Sequence, residues 1–318
     1  MSTVEYGDVG EGDNVAPRGE GRRHEPPLAD VLAQVRRRIV GRDRELRLLL
    51  AALGARRDLL LEGPPGTSKS TLLHEVTAAF GVPLFFVEGN AELSTAKLVG
   101  HHNPARVLQQ DFSEATFVPG PLVEAMRSGG FLYIEEINRA PEDTLNALLS
   151  AIAERELVVP RAGRVRAAPG FRLVASMNPF DNVGTSRISS SVHDRLCRIA
   201  IGYQGVDEEQ EIVRWRAGTA ADERMVADAV DLVRATRSHL ELRQGSSVRG
   251  AIDLVAVATQ LMALDDGEAY PDVMLDALLV ALSGRIVLDE TSEATPESIL
   301  REIWEDHFVL RPRQAAPG

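Results

Sequence analysis

One cysteine, Cys197, stands in a chain of 318 residues. An internal disulfide is therefore excluded, and a reducing compartment is expected. Basic side chains are in deficit: 35 Lys and Arg against 47 Asp and Glu give a net charge of −12. A general nucleic-acid binder needs clustered cations to neutralise phosphate, so no nucleic-acid partner is expected. Long apolar runs are missing too. The densest stretches, Leu254 to Leu264 and Val273 to Leu282, are interrupted by Thr259, Gln260 and Asp276. Both fall short of the ~20 residues that a membrane span requires. The N-terminus, rich in Ser, Glu, Asp and Gly, has no apolar signal core. The expectation is an acidic, cytoplasmic globular protein. Its 44% hydrophobic residues suffice for a full core, in roughly two domains.

Residues 1–27 mix charge with Gly and Pro and hold almost nothing that could be buried, so a disordered lead is expected. Order begins at Leu28, where Val31, Leu32 and Val35 recur at helical spacing before Arg36-Arg37-Arg38, a solvated helix end. From Asp58 short apolar runs alternate with helical ones. Leu59–Leu61, Pro83–Val87, Phe131–Ile134, Phe171–Ser176 and Ile199–Ile201 are the strand candidates. Thr71 to Phe80 reads as a helix after the first. Leu145, Leu148, Leu149 and Ile152 mark another after the third. That alternation predicts a five-stranded parallel sheet covered on both faces, an α/β domain over residues 28–205. Beyond Gly205 the pattern is helical, with Ala251, Leu254, Val255, Ala258 and Leu261 on one stripe and Thr295-Pro296 opening a last helix. A smaller all-helical domain over 206–310 and a flexible tail at 311–318 follow.

The strongest chemical signal is Leu60-Leu61-Glu62-Gly63-Pro64-Pro65-Gly66-Thr67-Ser68-Lys69-Ser70-Thr71. A strand enters a Gly/Pro-rich loop that ends where a helix opens. Backbone N–H groups and the helix dipole there suit a phosphate. Lys69 would reach the β- and γ-phosphates, and the Ser70 hydroxyl would ligate Mg²⁺. Ser68 replaces the glycine that usually precedes the lysine, which it can do if the backbone there stays right-handed.

Phe131-Leu132-Tyr133-Ile134-Glu135-Glu136 is an apolar strand ending in two carboxylates, a Walker B pattern. Glu135 would support Mg²⁺, one methylene longer than the usual Asp, and Glu136 would orient and polarise the attacking water. Leu173-Val174-Ala175-Ser176-Met177-Asn178-Pro179 delivers an amide, Asn178, to the carboxyl end of another strand, where it could touch a γ-phosphate or the water. Arg195, in Asp194-Arg195-Leu196, could serve as a finger in trans on a neighbouring subunit. Arg249, in Ser247-Val248-Arg249, could contact the nucleotide in cis.

Together these segments resemble the AAA+ ATPases, and more narrowly the MoxR family. Glu135-Glu136-Ile137-Asn138-Arg139-Ala140-Pro141, Asn178-Pro179, Gly184-Thr185, Asp194-Arg195 and Gly245-Ser246-Ser247-Val248-Arg249 carry the likeness with the phosphate loop. Val118-Pro119-Gly120-Pro121-Leu122 resembles that family's segment before Walker B, within an insertion in helix 2. Ile39-Val40-Gly41 resembles the stretch lining the adenine pocket, which places Val40 and Gly41 beside the base. Departures are Glu135 for Asp and Leu196 for the Phe that often follows the finger arginine. The resemblance covers residues 28–285. It implies an AAA+ P-loop core with a helical lid, bound ATP and Mg²⁺, a homo-oligomeric ring of six subunits, and ATP-driven remodelling of a client protein. It also implies a partner carrying a von Willebrand factor A domain.

Other features are read more plainly: His101-His102 as solvated loop, Cys197 as a small core residue, Trp215 and Trp304 as packing anchors. Ser189-Ser190-Ser191 near His193 and Asp194 lacks the glycines of a nucleophile elbow. Competing functions are a magnesium-chelatase-type motor subunit, a helicase loader, and a nucleotide-gated scaffold with negligible turnover, which Ser68 and Glu135 keep open.

Overall fold

The structure, a computed structural model, describes residues 26–179, 190–218, 222–264, 267 and 269–310. The N-terminal lead up to residue 25, Gly184-Thr185, Ser189 and the tail at 311–318 lie outside them.

Five parallel strands form the main sheet: β1 (Leu59–Glu62), β2 (Leu84–Glu88), β3 (Phe131–Glu135), β4 (Arg172–Met177) and β5 (Cys197–Ala200). Their spatial order is β2-β3-β4-β1-β5. The three central strands are continuous apolar runs because helices cover both faces. The two-residue period then divides them. Leu60, Leu132, Ile134, Leu173 and Ala175 face a cluster with the helices Pro121–Ser128 and Glu142–Glu154. Leu59, Leu61, Phe131, Tyr133 and Val174 face the helices Leu28–Arg36, Asp43–Gly54 and Lys69–Phe80. Tyr133 therefore points to the same side as the helix that follows the phosphate loop.

β5 lies on the sheet edge, and only Ile199 of its four residues is buried. Cys197, expected in the core, is exposed: it shares the face of Ile199 but stands at the first position of this edge strand. Two hairpin-like ribbons stand off the sheet, Gly100–His102 with Phe117–Pro119 and Glu156–Val159 with Gly163–Arg166. His102, expected in open loop, belongs to the first. Its ring nitrogens lie 3.1 Å from Thr116 Oγ1 and 3.1 Å from the Pro160 carbonyl.

From Val206 the described elements are mainly helical: Val206–Ala217, Glu223–Ser238, Val248–Leu264, Tyr270–Leu282 and Pro296–Glu305. They share one apolar core that includes Val226, Val230, Leu254, Leu278 and Ile299. Thr295 caps the last helix, its Oγ1 accepting from Ser298 N at 3.1 Å, with Pro296 in the first turn. Within this helical region an antiparallel ribbon, Leu242–Gln244 with Val287–Leu288, is added, too short to show a strand pattern in sequence. Trp304 packs as expected, donating to the Pro271 carbonyl at 2.8 Å. Trp215, in contrast, is 63% exposed. Among the described residues no helix is long and apolar enough to cross a membrane.

Candidate functional site

The carboxyl ends of β1, β3 and β4 lie at one edge of the sheet, where ligands of open α/β folds bind. A cleft of about 460 Å³ opens there, walled on the far side by the helical region. β1 hands the chain to Gly63, which donates to the Met177 carbonyl at 3.1 Å. A Cβ on Gly63 would lie 2.0 Å from the Ile201 carbonyl oxygen, so only glycine permits this approach. The loop then closes on itself. Thr67 Oγ1 donates to the Pro64 carbonyl at 2.8 Å, and Arg42 donates to the Thr67 carbonyl at 3.1 Å.

Ser68 has φ +68°, in the left-handed region, contrary to the right-handed backbone expected of it. The loop must turn abruptly into the helix Lys69–Phe80, and that geometry overrides serine's preference. Lys69 is buried. Its ammonium donates to the Gly63 and Pro64 carbonyls, both at 2.8 Å, and to Thr67 Oγ1 at 3.4 Å. Burial lowers its pKa from 10.5 to about 8, against the pull of Glu135, while nearby Arg249 and Arg42 lower it further.

Ser70 opens the helix with its hydroxyl donating to Glu135 Oε1 at 2.7 Å. The longer glutamate thus spans the gap to the serine directly. Glu136 follows with φ +54°, a second strained residue. Its carboxylate sits 3.0 Å from the Arg139 guanidinium. Asn178, at the end of β4, and Arg249, at the start of the helix Val248–Leu264, line the same cleft.

The structure thus brings together Gly66, Thr67, Ser68, Lys69, Ser70, Thr71, Glu135, Glu136, Asn178 and Arg249. Val40 and Gly41 line a separate cavity of about 620 Å³ with Trp215 and Arg214. The next residue, Arg42, ties that segment to the phosphate loop. Arg195 is outside the cleft of its own chain. It is exposed, and its guanidinium donates to the Ser191 carbonyl at 2.9 Å.

Several cleft residues carried no signal of their own. Arg243 and Gln244 reach it from the short ribbon of the helical region, and Arg243 lies 3.4 Å from Glu290. Tyr133, buried beneath the cleft, had one available sign: two residues before Glu135 on a strand, it must share that residue's face. Its hydroxyl lies 2.9 Å from Ser176 Oγ and 3.2 Å from Ser70 Oγ. Burial pushes its phenol up to about 12, so it stays protonated at neutral pH.

The chemistry suits a magnesium-bound polyphosphate. A hydroxyl and a carboxylate oxygen, both hard donors, share the cleft with the cations Lys69, Arg139, Arg243 and Arg249. Glu136 supplies a carboxylate at the same edge. Among the described residues no cluster of three or more His, Cys, Asp or Glu side chains forms an independent metal site.

The chain is similar to several known proteins. The family described as AAA domain (dynein-related subfamily) matches residues 58–196. The gas vesicle ATPase GvpN of Ancylobacter aquaticus is 30% identical over 264 residues, spanning 77% of this chain and 72% of that protein. The chaperone MoxR1 of Mycobacterium tuberculosis is 26% identical over 317 residues, spanning 87% of this chain and 81% of that one. Among solved structures, a mutant of RuvB from Thermotoga maritima has a TM-score of 0.52 at 19% identity, covering 76% of this chain and 71% of that one. That last likeness is one of fold.

Proposed function

The chain belongs to the AAA+ ATPases of the MoxR type, and from that premise we propose that it hydrolyses ATP in this cleft and uses the turnover to remodel or activate a client protein. Residues 28–205 would form the ATPase unit and 206–310 the lid over it.

The observation that carries the reading is the convergence of Lys69, Ser70, Glu135 and Glu136 on one cleft. Gly66, Thr67 and Ser68 would offer backbone N–H groups to the phosphates, and Lys69 would exchange its loop carbonyls for phosphate oxygens. Ser70 and Glu135 would hold Mg²⁺, which, when bound, neutralises phosphate charge during transfer. Glu136 would accept a hydrogen bond from the attacking water, Asn178 would fix that water or the γ-phosphate, and Arg249 would sense the nucleotide from the lid. Val40 and Gly41 would border the base.

Arg195 supports a shared site. Its exposure, away from its own chain's cleft, suits entry into a neighbouring subunit of a homo-oligomeric ring, which we take to be a hexamer. The name of the MoxR1 chaperone supports an activation role, and a protein with a von Willebrand factor A domain is the partner class to test.

One observation favours a second reading, a nucleotide-gated scaffold with negligible turnover. Glu136, the residue that must address water, is tied to Arg139. Steady-state ATP hydrolysis against protein concentration separates the two. Specific activity that rises with concentration and is abolished in Lys69→Ala, Glu136→Gln and Arg195→Ala supports the shared-site ATPase. Flat, near-zero turnover with intact ATP binding supports the scaffold.

A further inference from the structure

Three hydroxyls and one carboxylate form an unbroken line through the sheet beneath the cleft. Ser176 on β4 and Tyr133 on β3 are both buried, with their oxygens 2.9 Å apart. The Tyr133 oxygen is 3.2 Å from Ser70 Oγ and 3.5 Å from Glu135 Oε1. Ser70 Oγ is 2.7 Å from that same carboxylate oxygen and is its donor.

Hydrogen bookkeeping orders this line. A carboxylate only accepts, and each hydroxyl has one proton and two lone pairs. With the Ser70 proton committed to Glu135, the contact between Ser70 and Tyr133 requires the tyrosine to donate, its one proton going to the nearer Ser70 Oγ at 3.2 Å with Glu135 Oε1 the more distant acceptor at 3.5 Å. Tyr133 then accepts from Ser176. The direction runs Ser176 to Tyr133 to Ser70 to Glu135, and one lone pair of Ser70 remains free toward the cleft.

We propose that Tyr133 is a positioning residue for the magnesium site: by occupying one lone pair of Ser70 it locks the serine rotor so that the other faces the cation, with Ser176 holding the phenol in turn. This rests on the reading of Ser70 and Glu135 as the cation-binding pair and extends it into the sheet. A serine hydroxyl at a helix start has competing backbone acceptors, and the single bond to Glu135 holds its rotor less firmly than that bond and the Tyr133 contact together. Fixing it beforehand removes that disorder from the binding step. The phenol does this from the side chain's far end, so the sheet itself sets the geometry.

The test uses the full chain with Tyr133→Phe and with the double variant Tyr133→Phe/Ser176→Ala. The readouts are thermal midpoint, ADP affinity in EDTA, and the magnesium concentration that half-restores tight ADP binding. Tyr133→Phe keeps the ring but leaves the buried Ser176 hydroxyl without its partner, which lowers stability by itself. Removing that hydroxyl as well restores the midpoint.

The expected result is a rise in the magnesium half-point of about three- to tenfold in both variants, the size of one hydrogen bond. ADP affinity in EDTA stays at the wild-type value. A half-point equal to wild type, or a shift that disappears when the double variant regains stability, overturns the proposal and leaves the ATPase reading intact. A wild-type protein whose ADP binding ignores magnesium overturns both.

Discussion

Gly66 of the phosphate loop and Ser247, just ahead of the helix Val248–Leu264, are in such close contact that a Cβ on Gly66 would lie 2.2 Å from Ser247 Oγ and 2.5 Å from its Cβ. Gly66 also has φ +73°. Glycine is therefore required twice, for backbone conformation and for the approach of the helical region. Gly66→Ala is expected to push Ser247, and Arg249 two residues on, away from the loop. ADP affinity should fall by about tenfold or more, and the left-handed alanine alone costs about 1 kcal/mol. Adding Ser247→Gly should recover part of the affinity by clearing the clash. Calorimetric titration of both variants checks this, and undiminished binding by Gly66→Ala would show that the close approach is dispensable.

The strain at Ser68 leads to a gain on substitution. Its φ of +68° is unfavourable for serine and natural for glycine. Ser68→Gly is expected to raise the thermal midpoint, with a net gain of up to about 1 kcal/mol after glycine's greater unfolded-state entropy is counted. Ser68→Val, β-branched in the same conformation, should lower the midpoint by more than that. Equal midpoints for all three proteins would show that this turn carries no strain in solution.

These two positions also mark where the sequence stops being legible. β1, β3 and β4 are readable because burial on both faces makes them continuous apolar runs, and motifs at their ends place Lys69, Glu135 and Asn178 along one edge. The hand of the backbone at Ser68 is not readable, since a whole loop closing under a helix sets it. Cys197 was misplaced because it opens an edge strand, where even the face that buries Ile199 is left open at the strand's first residue. Arg243 was missed because a three-residue ribbon leaves no period to detect. Tyr133 sat in plain view as an apolar strand residue. Its function depends on a hydroxyl contact across strands, with Ser176 lying 43 positions away.

Glu136 and Arg139 form an ion pair at 3.0 Å with both side chains partly exposed, 35% and 43%. Such a pair is worth little to stability, about 0–1 kcal/mol. Its effect falls on Glu136, which must be free to address water. Arg139→Ala is expected to leave the thermal midpoint nearly unchanged and to raise basal ATP turnover by about two- to fivefold. Arg139→Lys should lie between, as a point charge without the planar fork. A fall in turnover would assign Arg139 to the phosphates, whose cleft it also lines.

Lys69 sets a pH dependence whose two signs are opposite. In the nucleotide-free protein burial lowers its pKa from 10.5 to about 8. Phosphate requires the ammonium form, so ADP affinity should be level below about pH 8 and weaken by up to about tenfold per pH unit above it, until the bound-state value is reached. Stability runs the other way. Between about pH 8 and 10.5 the unfolded chain holds the proton that the folded protein has released, so this residue makes the nucleotide-free protein more stable as pH rises. Lys69→Met should remove both trends, and Lys69→Arg, charged throughout, should flatten the affinity profile. Fluorescence titrations with an ADP analogue and thermal melts across that range measure the two directly. Affinity that holds level to pH 10 in the wild type would mean that the lysine leaves its loop carbonyls and is solvated before the phosphate arrives.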